Sequence, residues 1–182
     1  MHALLMCGGR GERLGRGEKP LFEVCGMKLI EHSIVEFENF DVLAVTSPNT
    51  PETERFLMDE GIDFYRASGK GFIEDYREVC VEMSIAEPVF IACADIVYIR
   101  NGIAERALES YMTSTKRALR VVIGGKSVGL NIIDAFFIDE AQEEEIYNVE
   151  ENSLINVNTL KDAERAEKLW TMTRKGKGLQ KD

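Results

Sequence analysis

The run Ala3-Leu4-Leu5-Met6 constrains the fold more than any other stretch of the chain. Four apolar residues without alternation suit a strand covered on both faces, as in a parallel sheet. The chain then breaks into glycine, with Gly8, Gly9, Gly11, Gly15 and Gly17 interleaved with Arg10, Arg13, Arg16 and Lys19. Glycine lets successive backbone N–H groups turn towards one point, and the cations draw negative charge there. An anion is the expected guest of this loop, and phosphate is the expected anion.

Composition sharpens that expectation. The formal charge is −10 over 182 residues, which argues against nonspecific binding to nucleic acid or to an anionic membrane surface. Four cations within the ten residues from Arg10 to Lys19 therefore read as a focused anion site in an acidic protein. None of Cys7, Cys25, Cys80 and Cys93 forms a Cys-x-x-Cys pair, so they read as free thiols in a reducing, cytoplasmic setting. Met1-His2 leads directly into the first strand with no room for a signal peptide, and no apolar run approaches membrane-spanning length.

Strand and helix signals then alternate. Leu21 to Val24 is extended, Gly26 turns, and Leu29 to Phe37 is a helix presenting Ile30, Ser33, Ile34 and Phe37. A strand over Asp41 to Thr46 is followed by a helix that Thr50 caps and Pro51 begins. A short strand at Ile62 to Tyr65 precedes a helix with the apolar stripe Phe72, Ile73, Tyr76, Val79, Cys80 and Met83. Glu74 and Asp75 suit its first turn, where the macrodipole favours carboxylates. Val89 to Ala94 is an apolar strand closed by Asp95, and Ile103 to Tyr111 is helical. Strands at Ala118 to Ile123 and Val128 to Ile133 follow, then an acidic, partly helical stretch at Asp139 to Tyr147. A last strand, Leu154 to Val157, leads to a helix capped by Thr159 that turns Ala163, Ala166, Leu169 and Trp170 inward. The pattern predicts one doubly wound α/β domain with a mostly parallel sheet over residues 1–170, and a frayed tail over 171–182.

Ligands of such sheets gather beyond the carboxyl ends of the strands. That places Cys7 to Lys19, Ser47 to Thr50, Ser68 to Gly71 and Asp95 around one crevice. An acidic residue ending an apolar strand needs a cation or water, and beside a triphosphate Mg²⁺ is the natural partner. Histidine is nearly absent, with only His2 and His32, neither in the crevice. General-base catalysis by histidine is therefore not expected.

The loop itself discriminates among designs. The only Gly-Lys-Ser, at Gly125-Lys126-Ser127, lacks the upstream glycine of a Walker A loop. Gly9-Arg10-Gly11-Glu12-Arg13 continues with Leu14, which breaks the dinucleotide fingerprint. A third pattern, Gly-Gly-x-Gly-x-Arg-Leu-Gly followed by Lys-Pro-Leu, fits at Gly8, Gly9, Gly11, Arg13, Leu14, Gly15, Lys19, Pro20 and Leu21. Here the chain resembles the nucleotidyltransferases that activate sugars, cofactors and lipid head groups.

Further blocks narrow the resemblance. Thr46-Ser47-Pro48-Asn49-Thr50-Pro51, Ser68 to Asp75, Val128-Gly129-Leu130-Asn131 and Asn156-Val157-Asn158-Thr159 occur in collinear order. With Met6 to Gly15 they resemble the archaeal-type adenosylcobinamide-phosphate guanylyltransferase family. The resemblance implies a nucleotide-diphospho-sugar transferase type of Rossmann-like fold and transfer of GMP from GTP to adenosylcobinamide phosphate, releasing pyrophosphate. It implies triphosphate binding by Gly8, Gly9, Arg13 and Lys19, with Cys7, Gly11 and Ser47 in the same nucleotide site. Asn49, Ser68, Gly69 and Gly71 would line base and ribose, and Gly129 and Asn131 would stand near the acceptor. Arg13, Lys19 and Asp95 would be catalytic, with Mg²⁺ on Asp95 and Asn158. Glu12 and the short connection from Ile123 to Val128 depart from the family pattern. A sister transferase acting on molybdopterin, a sugar phosphate or phospholactate stays open, as does a non-catalytic GTP-binding regulator.

Overall fold

The computed structural model describes residues 1–9 and 17–177, with side chains described as far as Arg174. In chain order, β1 (His2–Met6) is followed by a 3-10 turn (Lys19–Leu21), β2 (Glu23–Val24), β3 (Met27–Lys28) and α1 (Leu29–Glu36). Next come β4 (Asp41–Thr46), α2 (Pro51–Asp59), β5 (Phe64–Arg66), α3 (Phe72–Glu82), β6 (Pro88–Cys93) and β7 (Ile96–Tyr98). The chain continues through α4 (Ile103–Thr113), β8 (Ala118–Ile123), β9 (Lys126–Asp134), β10 (Glu144–Asn148), β11 (Leu154–Asn156) and α5 (Leu160–Lys177). Seven strands form the main sheet in the order β10-β8-β9-β6-β1-β4-β5. β1 runs parallel to both β4 and β6, β4 to β5, and β10 to β8, while β9 is antiparallel to both its neighbours. The mixed but mostly parallel α/β sheet matches the expected class.

The unalternating β1 run is explained by what covers it. Leu5 packs on one face with Ile30 of α1, Phe37 just after it, Leu57 of α2 and Ile103 and Ala107 of α4. Leu4 packs on the other with Val79 and Cys80 of α3. Both leucines are fully buried, so truncating either to alanine costs about 2–5 kcal/mol. A third apolar cluster ties Val24 and Leu29 to Val97, Ile155 and Ala166, seating α5 against the small β7–β11 pair. No described helix is long and apolar enough to cross a membrane.

Several local expectations change. The acidic stretch at 139–147 is not helical: β10 occupies Glu144–Asn148 beside β8, where Arg120 Nη2 lies 3.0 Å from Glu144 and Lys116 Nζ donates to the Glu144 carbonyl at 2.9 Å. The basic neighbours let an acidic edge strand form. In α3 only Val79 and Cys80 of the stripe are buried; Phe72, Ile73 and Met83 are exposed. The α5 helix runs to Lys177, past the tail boundary expected at 171, with the Arg174 guanidinium 4.2 Å from the Trp170 ring centroid and the Thr171 hydroxyl donating to Glu167 O at 2.9 Å. Residues 178–182 of that tail lie outside the described residues.

Candidate functional site

The sheet ladder continues past the strand ends and holds three loops side by side. Cys7 N donates to Val45 O at 2.8 Å, Ala94 N to Met6 O at 3.1 Å, and Ala67 N to Thr46 O at 3.0 Å. Between these loops lies a cavity of about 320 Å³. Of the residues singled out in the sequence, Cys7, Gly8, Gly9, Lys19, Asn49, Gly69, Gly71 and Asp95 all line it. Gly11 and Arg13 lie outside the described residues.

Close packing accounts for the loop sequences. A Cβ on Gly8 would sit 3.2 Å from Ser47 Cβ. Ser47 itself is buried: its hydroxyl donates to Gly8 O at 2.9 Å and accepts from Asn49 N at 3.1 Å. It braces two loops against each other rather than lining the cavity. Gly69 has φ +72 and would carry a Cβ 3.3 Å from Pro48 Cδ, so both conformation and space select glycine. Ser68 turns away, its amide donating to Glu78 at 3.2 Å.

Asp95 is the electrostatic centre. It lies in the two-residue turn between β6 and β7 and pairs with Lys19, whose ammonium also donates to Asn158 Oδ1 at 2.8 Å. Asn158 Nδ2 donates in turn to Asn156 Oδ1 at 2.7 Å. Burial raises the Asp95 carboxyl above the usual carboxylate range, and the Lys19 ammonium draws it back. The other carboxylate oxygen, Oδ1, is buried and has no hydrogen-bond partner among the described residues. An orphaned carboxylate oxygen at the cavity wall fits a magnesium ion held by one carboxylate and completed by phosphate oxygens. No cluster of three or more histidine, cysteine or acidic side chains is found among the described residues.

The thiols are not poised for attack. Burial drives Cys7 far above its ordinary value, and its thiol donates to Leu5 O at 3.2 Å. Cys93 is pushed up to about 12, first by burial and then by the Asp95 charge. Gly129 has φ +81, and a Cβ there would lie 2.8 Å from Cys93 Sγ, so it brings β9 close to the end of β6. Asn131 pairs across from Ile91 in mid-strand and does not line the cavity.

Two carboxylates matter that the sequence did not single out for the site. Asp75 is buried, lines the cavity, and accepts from Gly69 N at 2.9 Å and Lys70 N at 3.1 Å. Glu18 accepts from Glu52 N at 2.8 Å and from Thr53 N and Oγ1 at 2.7 Å each, capping α2 from the residue next to Lys19. The Thr50 hydroxyl, expected to cap α2, instead accepts from Ser47 N at 3.1 Å.

The MobA-like NTP transferase domain model matches residues 3–154. An adenosylcobinamide-phosphate guanylyltransferase of Methanocaldococcus jannaschii is 30% identical, covering 93% of this chain and 97% of that protein. The crystal structure of molybdopterin-guanine dinucleotide biosynthesis protein A from Archaeoglobus fulgidus superposes with TM-score 0.75 at 20% identity, covering 94% of this chain and 100% of that one. A CMP:2-keto-3-deoxy-manno-octonic acid synthetase complexed with CTP gives TM-score 0.74 at 13% identity over 94% and 97% of the two chains. At those identities the two structures establish the shared fold.

Proposed function

This chain belongs to the MobA-like NTP transferase family and is a nucleotidyltransferase, and on that premise we propose that it moves GMP from GTP to adenosylcobinamide phosphate. The observation that carries the proposal is the Lys19–Asp95–Asn158 cluster at the end of β6, facing a glycine-walled cavity. The acceptor is drawn from the Methanocaldococcus relative and from the collinear blocks of sequence.

In the proposed reaction an ionised oxygen of the acceptor phosphate attacks the α-phosphorus of GTP. The bond from that phosphorus to the β-phosphate bridging oxygen breaks, and pyrophosphate leaves with its electron pair. No proton has to be removed from the nucleophile. His32 is buried with Nε2 on Val24 O at 2.9 Å, His2 pairs with Asp41, and neither lines the cavity. Backbone amides of Gly8 and Gly9, with Lys19 and Arg13, hold the phosphates and offset the charge that grows on the leaving group. Asn49, Gly69 and Gly71 form the nucleoside wall, and Asp75 fixes the amides of that wall in place. Asp95 and Asn158 would hold Mg²⁺, which supplies charge neutralisation at the phosphates when bound.

The test is incubation with GTP, Mg²⁺ and adenosylcobinamide phosphate, read by mass. Formation of the GDP-linked corrinoid with stoichiometric pyrophosphate is expected. Turnover with molybdopterin or a sugar phosphate instead would move the protein to a sister activity. GTP binding without turnover on any of these acceptors would mark a regulator.

A further inference from the structure

A second cavity, of about 190 Å³, opens between the β8–β9 hairpin and the segment that carries β11 into α5. Resting on the acceptor assignment above, we infer that this cavity receives the non-reacting end of the phosphorylated acceptor, with Lys126 and Arg165 donating to its carbonyl or anionic oxygens.

The charge balance of the cavity points that way. Lys126 and Arg165 both line it, and neither is in an ion pair among the described residues. The one carboxylate in its wall, Asp162, has its Oδ2 committed to Asn158 N at 3.1 Å and to Thr159 N and Oγ1 at 2.8 Å each. In a chain of net charge −10, a small cavity presenting two cations that pair with no carboxylate among the described residues is suited to oxygen-rich, electron-donating groups. Arg165 is also oriented: its Nη2 donates to Asn152 Oδ1 at 2.6 Å, and Asn152 takes the left-handed conformation at φ 64. A guanidinium held by one N–H keeps its remaining donors for a ligand.

Position supplies the second argument. Asn156 lines this cavity and donates through Nδ2 to Val128 O at 3.4 Å, while its Oδ1 accepts from Asn158. Asn158 contacts Lys19, which contacts Asp95. One chain of hydrogen bonds thus runs from the catalytic carboxylate to the cavity wall. Gly129, packed on Cys93, draws the hairpin in beside the same carboxylate. In the inferred binding mode the acceptor phosphate lies in line with the α-phosphorus, opposite the leaving pyrophosphate, and the rest of the acceptor extends towards this cavity. The peripheral carboxamides of a corrinoid present the carbonyl oxygens that Lys126 and Arg165 would bind.

Steady-state kinetics on the full chain tests this, with acceptor varied at saturating GTP and Mg²⁺ and then GTP varied at saturating acceptor. The Lys126→Ala/Arg165→Ala double variant is expected to raise the acceptor KM about tenfold or more, since two charge-assisted hydrogen bonds are lost. The KM for GTP and the thermal midpoint in MgGTP should match the wild type, and Arg165→Lys should recover part of the loss. An unchanged acceptor KM overturns the inference, as does a rise matched by an equal rise in the KM for GTP. Wild-type protein that binds MgGTP but converts no adenosylcobinamide phosphate overturns the proposed function itself, and this inference falls with it.

Discussion

At the scale of single residues, Asp95 balances two opposed effects. Burial disfavours its charge, the Lys19 ammonium offsets part of that effect, and one oxygen is left without a partner among the described residues. A purely structural carboxylate gains nothing from an orphaned oxygen, because an unsatisfied buried charge costs stability. Asp95→Asn is therefore expected to keep the fold while lowering kcat/KM on the order of a hundredfold or more, the usual cost of losing one charge-stabilising group. Near-normal turnover in that variant would remove Asp95 from the reaction. His32 makes a separate prediction, about stability. It is 3% exposed, and burial lowers its pKa below the ordinary 6.5. The neutral ring is the folded form, so its contribution is complete above about 6.5 and is lost as pH falls through the depressed folded value. Glu36 acts in the opposite sense: burial raises it to about 6, so its contribution fades as pH rises through that value. The informative measurement is thus the difference in thermal midpoint between wild type and His32→Gln from pH 7.5 to 5. Wild type should lose ground to the variant on acidification, and parallel curves would show that His32 does not titrate. Asp95 was legible in the sequence because a carboxylate closing an apolar strand is costly to bury unless a cation or water meets it. Asp75 was not, because the helix macrodipole already accounts for a carboxylate in a first turn; only the approach of the 69–70 amides reveals its second task.

Among the elements, α2 shows how the phosphate loop is tied to the scaffold. Its exposed N–H groups are met by Glu18, from a position 34 residues earlier in the chain, and Glu18 adjoins Lys19. Glu18→Ala should destabilise the protein by about 0.5–2 kcal/mol, the usual value of a helix cap. It should also weaken GTP binding, because the Lys19 turn loses its anchor. Denaturant unfolding and GTP titration together check this; a stability loss with unchanged GTP affinity would show that cap and loop are independent. The sequence pointed to Thr50 for this capping task because local rules look one residue upstream of a helix, and a cap supplied by a distant loop leaves no local trace. The same limit applies to β10. Its exposed and half-buried residues alternate from Glu144 to Asn148, but an acidic run has strong helical character until Lys116 and Arg120 are known to lie beside it. By contrast, β1, β4 and β6 were readable almost to the residue, since strands covered on both faces must be apolar throughout.

The whole molecule links its ends through the site. Lys19 and Asn158 are 139 positions apart, and Asp95 lies between them in sequence and beside them in space. The loop after β1, the end of β6 and the segment entering α5 thus meet at one point. A nucleotide that engages this point contacts structure from nearly the full length of the domain, so its binding free energy adds to the stability of the single cooperative unit. At a free concentration of a hundred times Kd, ligand linkage contributes about 2.7 kcal/mol, which for a domain of this size raises the thermal midpoint by about 5–10 °C. GTP with Mg²⁺ should give a rise of that order, and ATP at the same concentration a smaller one if the 69–71 wall reads guanine. Removing Mg²⁺ should reduce the GTP effect in wild type and reduce it less in Asp95→Asn, which has lost the one charged ligand proposed for the ion. Equal stabilisation by ATP would overturn the guanine preference and leave the phosphate site intact. An identical magnesium dependence in Asp95→Asn would place the ion elsewhere, and no stabilisation by either nucleotide would mean that the cavity beyond β1, β4 and β6 is not where the triphosphate binds.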